Sequence, residues 1–231
     1  MKIAKSPLIF VFLSIVFALL GAILPALFVG DYAAWRQNWW SAIPIAFLAL
    51  LTMFFLPLFL IKSVFKDNFG NYGLRRPEDL KKASLLSSAA ILVLLPIVLF
   101  FGAEESFREY YSMGGLSPIH FFFTAIFASS VYYIAEEFLF RGFLFWGLWR
   151  GIKYHSFWVS ALLFAFFHLT KPIPEVIFAF FAGLVFAYLS FKTKSFIPAA
   201  VVHFILALVL NVIIFFLSST PSSGVGGVFR F

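Results

Sequence analysis

Long apolar runs broken by short polar turns set the first reading of this chain. The runs cover residues 7–29, 40–64, 84–102, 119–149, 156–170, 176–191 and 196–217. Each of the longer ones reaches the ~20 residues that a helix needs to cross a bilayer. They do not show the ~10-residue alternation of a membrane barrel. Helices satisfy their own backbone polar groups in lipid, so the pattern predicts an all-α, polytopic bundle of seven spans, or eight if the long fourth run splits. That fourth run would extend about 46 Å as a helix, against a hydrocarbon core of about 30 Å, so it must tilt, bend or protrude. Pro44 and Pro57 are expected to kink the second span.

The polar segments carry the rest of the plan. Residues 1–115 read as N-terminal spans with one strongly basic loop (66–82), residues 116–217 as a second helical unit, and 218–231 as a Ser/Gly-rich, flexible tail. Trp35, Trp39 and Trp40 flank an expected loop at 31–39, as an interfacial aromatic belt does. With the N-terminus inside, 12 of the 17 Lys and Arg residues fall on inner segments and 4 on outer ones, Arg141 lying within a span. The positive-inside rule therefore favours seven spans, N-terminus inward. The first run is too long for the h-region of a signal peptide and reads as an uncleaved span.

Composition sharpens this. The chain is 63% hydrophobic and 12% charged, with mean hydropathy +1.01, against ~25% charged in soluble domains. The net charge of +7 matches loops facing an anionic bilayer and gives no reason to invoke nucleic acid. Cysteine is absent, which excludes disulfides and thiolate metal sites.

The candidate chemistry begins with Glu136, Glu137 and Arg141 inside the fourth run. Charges at that depth persist when they face a bundle interior or a wet cavity. Positions four apart share a helix face, so Glu137 can pair with Arg141, whereas Glu136 has no base one turn away. At ~1.5 Å per residue, Glu136, His168 and His203 fall about 20, 22 and 14 Å from the inner boundary, and Asn211 about 25 Å. Two readings follow. His168 and His203, with Glu136, have the composition of a His₂Glu site for a divalent metal such as zinc. Equally, Glu136 can act as a general base toward water, with the histidines stabilising an oxyanion. Either suits amide hydrolysis. Taken singly, each histidine is an ordinary interhelical hydrogen-bonder, Asn211 is packing glue, and His120 and His155 are interfacial.

Three motifs add a family. Glu136-Glu137-x-x-x-Arg141, Phe164-x-x-x-His168, and His203 reached through Ser195-Phe196-Ile197-Pro198-Ala199-Ala200 resemble the signatures of the CPBP intramembrane proteases, which include CaaX prenyl endopeptidases and bacteriocin-processing or immunity proteins. Gly183 to Tyr188 is also similar to the family's lead-in to the third motif. The resemblance spans residues 130–211. It implies an intramembrane metalloendopeptidase of a bacterial inner membrane, acting on a membrane protein or lipidated peptide. Glu136 would activate water, Glu137 and His168 would assist, His203 would bind the oxyanion, and Arg141 and Asn211 would orient the site. The third motif usually continues to an Asn four residues on, where this chain has Ala207. That departure motivates a competing expectation, a non-catalytic scaffold or immunity-type protein of the same fold. A proton- or ion-coupled transporter is the third class, since intramembrane acids also serve relays. In the hydrolase reading the site is expected to open toward the basic, inner side.

Overall fold

A computed structural model describes residues 6–29, 40, 42–112 and 116–219. Among these the regular structure is helical, with no strand. Lys2, Lys5, the expected loop 31–39 with Trp35 and Trp39, and the expected tail from residue 220 onward lie outside the described residues. The helices are α1 (Pro7–Val29), α2 (Ala42–Val64), α3 (Leu80–Ala103), α4 (Glu105–Tyr111), α5 (Pro118–Ile152), α6 (His155–Phe166), α7 (Ile173–Thr193) and α8 (Ile197–Ser219). Five of them, α2, α3, α5, α7 and α8, are long and apolar enough to cross a membrane. α6 is a shorter apolar helix, and α1 is apolar over its 23 residues.

Local chemistry explains the boundaries. The Asp79 carboxylate accepts the Lys82 N–H at 2.9 Å and caps the start of α3, as N-cap residues do. Pro44 falls in the first turn of α2, where a missing N–H costs nothing, so the kink expected there is not needed. Pro57 lies deeper, between two stretches of widened π-type turns, Leu50–Phe55 and Leu60–Val64, which absorb its missing hydrogen bond. The long fourth run does not split. α5 is one helix of 35 residues, widened at Phe123–Ala128 and Phe138–Leu144.

α5 is the axis of the bundle. Phe138, Leu139, Phe140, Phe143, Leu144, Phe145 and Leu148 are all buried, so its second half is enclosed on every side. α1 and α2 pack against one flank of α5, α6 runs along α7, and α8 lies against α3, α5 and α7. The outward faces carry Phe47, Phe59, Leu92, Phe127, Leu162 and Phe181, all exposed, as lipid-facing positions are.

The two ends of the bundle differ in charge. Residues 62–82, 150–153 and 192–194 hold ten Lys and Arg residues against Asp67, Glu78 and Asp79. They are tied together: Phe196 N–H donates to Gly73 O at 3.2 Å and Arg75 Nε to Lys194 O at 3.0 Å. The opposite end carries α4 and the turn after α6, with Glu104, Glu105, Glu109 and Glu175 against Arg108 and Lys171.

Close approach of α1 to α5 depends on Gly147. A Cβ there would lie 2.2 Å from Phe10 Cδ1, and Phe10 is itself a buried ring in contact with Phe65 and Phe143. Gly147→Ala is expected to separate the two helices and destabilise the protein by about 1–3 kcal/mol, the usual cost of overpacking. A thermal unfolding midpoint in detergent unchanged from wild type would contradict this packing.

Candidate active site

The site begins near the middle of α5. Glu136 is 6% exposed, and Glu137 and Arg141 are 0% exposed. The one-turn spacing places Arg141 Nε 3.2 Å from Glu137 Oε2. The guanidinium lies 4.0 Å from the Phe164 ring centroid and 5.3 Å from that of Phe186, a cation–π setting. Gly183 leaves it room, since a Cβ there would be 3.2 Å from Arg141 Nη2.

The widened turns of Phe138–Leu144 follow directly after Glu137. Two carbonyls within them take side-chain donors from neighbouring helices. Ser160 Oγ of α6 donates to Phe140 O and Ser190 Oγ of α7 to Arg141 O, each at 3.0 Å. Trp146 Nε1 donates in turn to Ser190 Oγ at 3.1 Å. Sequence reasoning missed Ser160, Ser190 and Trp146. Their types are commonplace, and the widened turn that gives them acceptors has no motif of its own.

His203 arrives on the second turn of α8. Its Nδ1 bonds Glu137 Oε1 at 2.8 Å and stands 3.7 Å from Glu136 Oε2. A carboxylate facing Arg141 is an acceptor, so Nδ1 carries the proton of this bond. The ring is wedged between Tyr133, 4.3 Å between centroids, and Phe186, 5.3 Å. Both oxygens of Glu137 are thus engaged, one with Arg141 and one with His203. Glu136 is the acid of the pair with the looser hold.

His168 is placed differently from expectation. The sequence puts it within a span to residue 170, but α6 ends at Phe166 and the chain turns through 167–170. The Phe164 carbonyl, which a continuing helix would pair with the His168 N–H, is taken instead by the His168 imidazole. His168 N–H bonds Ala165 O at 2.9 Å and Nδ1 donates to Phe164 O at 2.8 Å, which leaves Nε2 as the acceptor. The imidazole is 5% exposed.

The expected metal set of His168, His203 and Glu136 is not the group that closes. Glu136, Glu137 and His203 offer ligand atoms all within 4.8 Å of one another, and His168 stands outside that group. An imidazole with two carboxylates has the composition of a divalent-cation site, and the Arg141 charge beside Glu137 opposes it.

What His168 and His203 share is a small cavity, about 60 Å³ in volume. Its walls are apolar, with Phe101, Phe107, Phe164, Phe178 and Phe186, and Tyr133, Lys171, Glu175 and Asn211 add polar atoms. Asn211, two turns beyond His203, lines it together with Ala207. His120 and His155 stay at helix ends, bonded to Ser117 Oγ and to Ile152 O.

The cavity runs toward the α4 end, not toward the basic end as expected. From α8 it takes Leu206, Ala207, Leu210 and Asn211, all farther from the basic turn than His203. At its mouth Tyr111 donates to Glu175 Oε1 at 2.5 Å, and Lys171 Nζ reaches the same oxygen at 2.9 Å. Burial pushes the Tyr111 phenol well above its ordinary pKa, so it remains a donor to Glu175. Phe107 of α4 stacks on Phe101 at 4.4 Å and helps seat α4 over this end.

Comparison with curated proteins and with solved structures gives no match. A family model described as "Type II CAAX prenyl endopeptidase Rce1-like" matches residues 117–209. The matched stretch starts one residue before α5 and contains Glu136, Glu137, Arg141, His168 and His203. The helices that build this site are therefore similar, over residues 117–209, to an Rce1-like domain, within an integral membrane protein.

Proposed function

We propose that this protein is an intramembrane endopeptidase that hydrolyses a peptide bond in a membrane-associated or lipid-anchored protein or peptide. The observation that carries the reading is the division of labour between adjacent acids. Glu137 is committed to Arg141 and His203, while Glu136 stands beside the same imidazole at 3.7 Å without a hydrogen bond to it. A buried carboxylate beside an imidazole that itself lines the cavity suits a general base.

In the proposed reaction Glu136 takes a proton from water as the water oxygen bonds to the scissile carbonyl carbon. His168 Nε2, left as an acceptor, helps to hold that water. The carbonyl electron pair moves onto oxygen. His203, oriented through Nδ1 by Glu137, presents Nε2 to the resulting oxyanion and stabilises it in the imidazolium form, with a proton on both ring nitrogens. Collapse breaks the C–N bond, and the proton held by Glu136 passes to the leaving nitrogen. The Phe-lined cavity suits an apolar stretch of substrate, and a prenylated CAAX tail is one substrate of this class.

Glu136, Glu137 and His203 are the residues that would hold a divalent cation such as zinc, which would polarise the substrate carbonyl. Binding a cation would compete with the Glu137–His203 hydrogen bond and with the use of Glu136 as a base. The second reading is a non-catalytic scaffold, favoured by Ala207 at the cavity wall where the third motif usually has Asn.

Glu136→Gln is expected to lower peptide-bond cleavage at least about 100-fold, the lower range for a lost general base, with normal accumulation in the membrane. Membrane proteomics comparing wild type and this variant would supply the substrate, and an unchanged cleavage pattern would favour the scaffold. Arg141→Ala is expected to act on folding. It leaves Glu137 buried without its cation, a loss of about 3–5 kcal/mol, read as reduced abundance and early thermal unfolding. Wild-type abundance with selective loss of cleavage would instead place Arg141 in the chemistry.

A further inference from the structure

The opposite end of the bundle holds a second polar cleft that the hydrolytic reading does not use. It has a volume of about 380 Å³ and is lined by Asp67, Gly70, Asn71, Arg75, Trp146, Trp149, Arg150 and Lys194. Three elements distant in sequence supply its cations: the loop after α2, the last turn of α5, and the α7–α8 turn.

The cleft is held open by specific bonds. Ser195 Oγ donates to Arg75 O at 2.5 Å, and Arg75 Nε donates to Lys194 O at 3.0 Å. Arg150 Nη1 pairs with Asp67 Oδ2 at 2.5 Å, and its guanidinium lies 4.6 Å from the Tyr72 ring centroid. Lys194 is turned into place by a left-handed backbone, φ 56°, and its Nζ lies 5.3 Å from the Trp146 ring centroid and 4.5 Å from that of Phe191. The one carboxylate in the wall, Asp67, is already engaged by Arg150, Asn68 N–H and Asn71. Although burial works to raise its pKa, those hydrogen bonds hold it below the usual range.

Donors remain. Glu78 takes Arg75 Nη2 and Asp67 takes Arg150 Nη1. Among the described residues this leaves Arg75 Nη1, Arg150 Nη2 and Lys194 Nζ without an acceptor. Planar guanidinium forks and an ammonium are the groups that bind phosphate oxygens. Trp146 and Trp149 mark the end of a spanning helix, the level at which headgroups lie. Basic clefts between spanning helices are suited to anionic headgroups.

We propose that this cleft is a phosphate-binding site, occupied by the headgroup of an anionic phospholipid. It is independent of the catalytic reading, because it shares no residue with that cavity. The full chain would be placed in phosphatidylcholine nanodiscs containing a minor fraction of phosphatidylglycerol, and the anionic lipid retained on release would be counted by native mass spectrometry. Lys194→Gln is expected to weaken retention about fivefold, as for one surface cation, and Lys194→Arg to restore it. The pair Lys81→Gln and Lys82→Gln, on the same basic end but outside the cleft, is expected to leave it unchanged. In phosphatidylcholine alone, millimolar inorganic phosphate that raises the unfolding temperature of wild type and not of Lys194→Gln would support the site and name free phosphate as its occupant. Retention that is equal in wild type and Lys194→Gln, or that falls equally in the Lys81/Lys82 pair, would overturn the proposal in favour of a diffuse basic surface.

Discussion

A carboxylate with no exposure to solvent, halfway along a membrane helix, needs partners on every side. Glu137 finds Arg141 on its own helix and His203 on α8. Neither partner alone would suffice. The pair with Arg141 is an ion pair without hydrogen-bond alignment at 3.2 Å, and desolvation of both charges offsets much of its attraction. The His203 bond at 2.8 Å adds the directional contact. It also ties α8 to α5, so one buried charge holds together two of the helices that form the site.

The surrounding structure serves that charge. Arg141 sits among Phe140, Phe164 and Phe186, whose ring faces stand in for the water it has lost. Gly183 keeps α7 close without filling the space of the guanidinium. The widened turns that follow Glu137 free Phe140 O and Arg141 O for the hydroxyls of Ser160 and Ser190, which fasten α5 to α6 and α7. Positions that look like inert packing in the sequence thus hold the polar centre. With Glu137 so constrained, its neighbour Glu136 is the acid with the looser hold.

Charge also separates the two ends of the molecule. The basic end is tied together by hydrogen bonds between the loop after α2 and the turn before α8. The α4 end carries the mouth of the cavity, with Tyr111, Lys171 and Glu175 around it. Positive-inside reasoning counts charges in loops and reads the polarity of the bundle. It carries no information on which end a cavity joins, because that depends on where helices diverge.

The all-helical architecture was legible because a bilayer admits few ways to satisfy backbone groups, and apolar length alone reports a span. The Glu137–Arg141 pair was legible because helix geometry is local: four residues make one turn. Everything that required two helices to meet at a chosen depth was decided by the tertiary structure. The bond from His203 to Glu137, the early end of α6 that sets His168 in a turn, and the grouping of Glu136, Glu137 and His203 without His168 all depend on helix rotation and on turns widened by a fraction of a residue. Depth counted at a fixed rise per residue does not capture rotation. The chain by itself therefore determined which groups are buried in the membrane, and packing determined which of them touch.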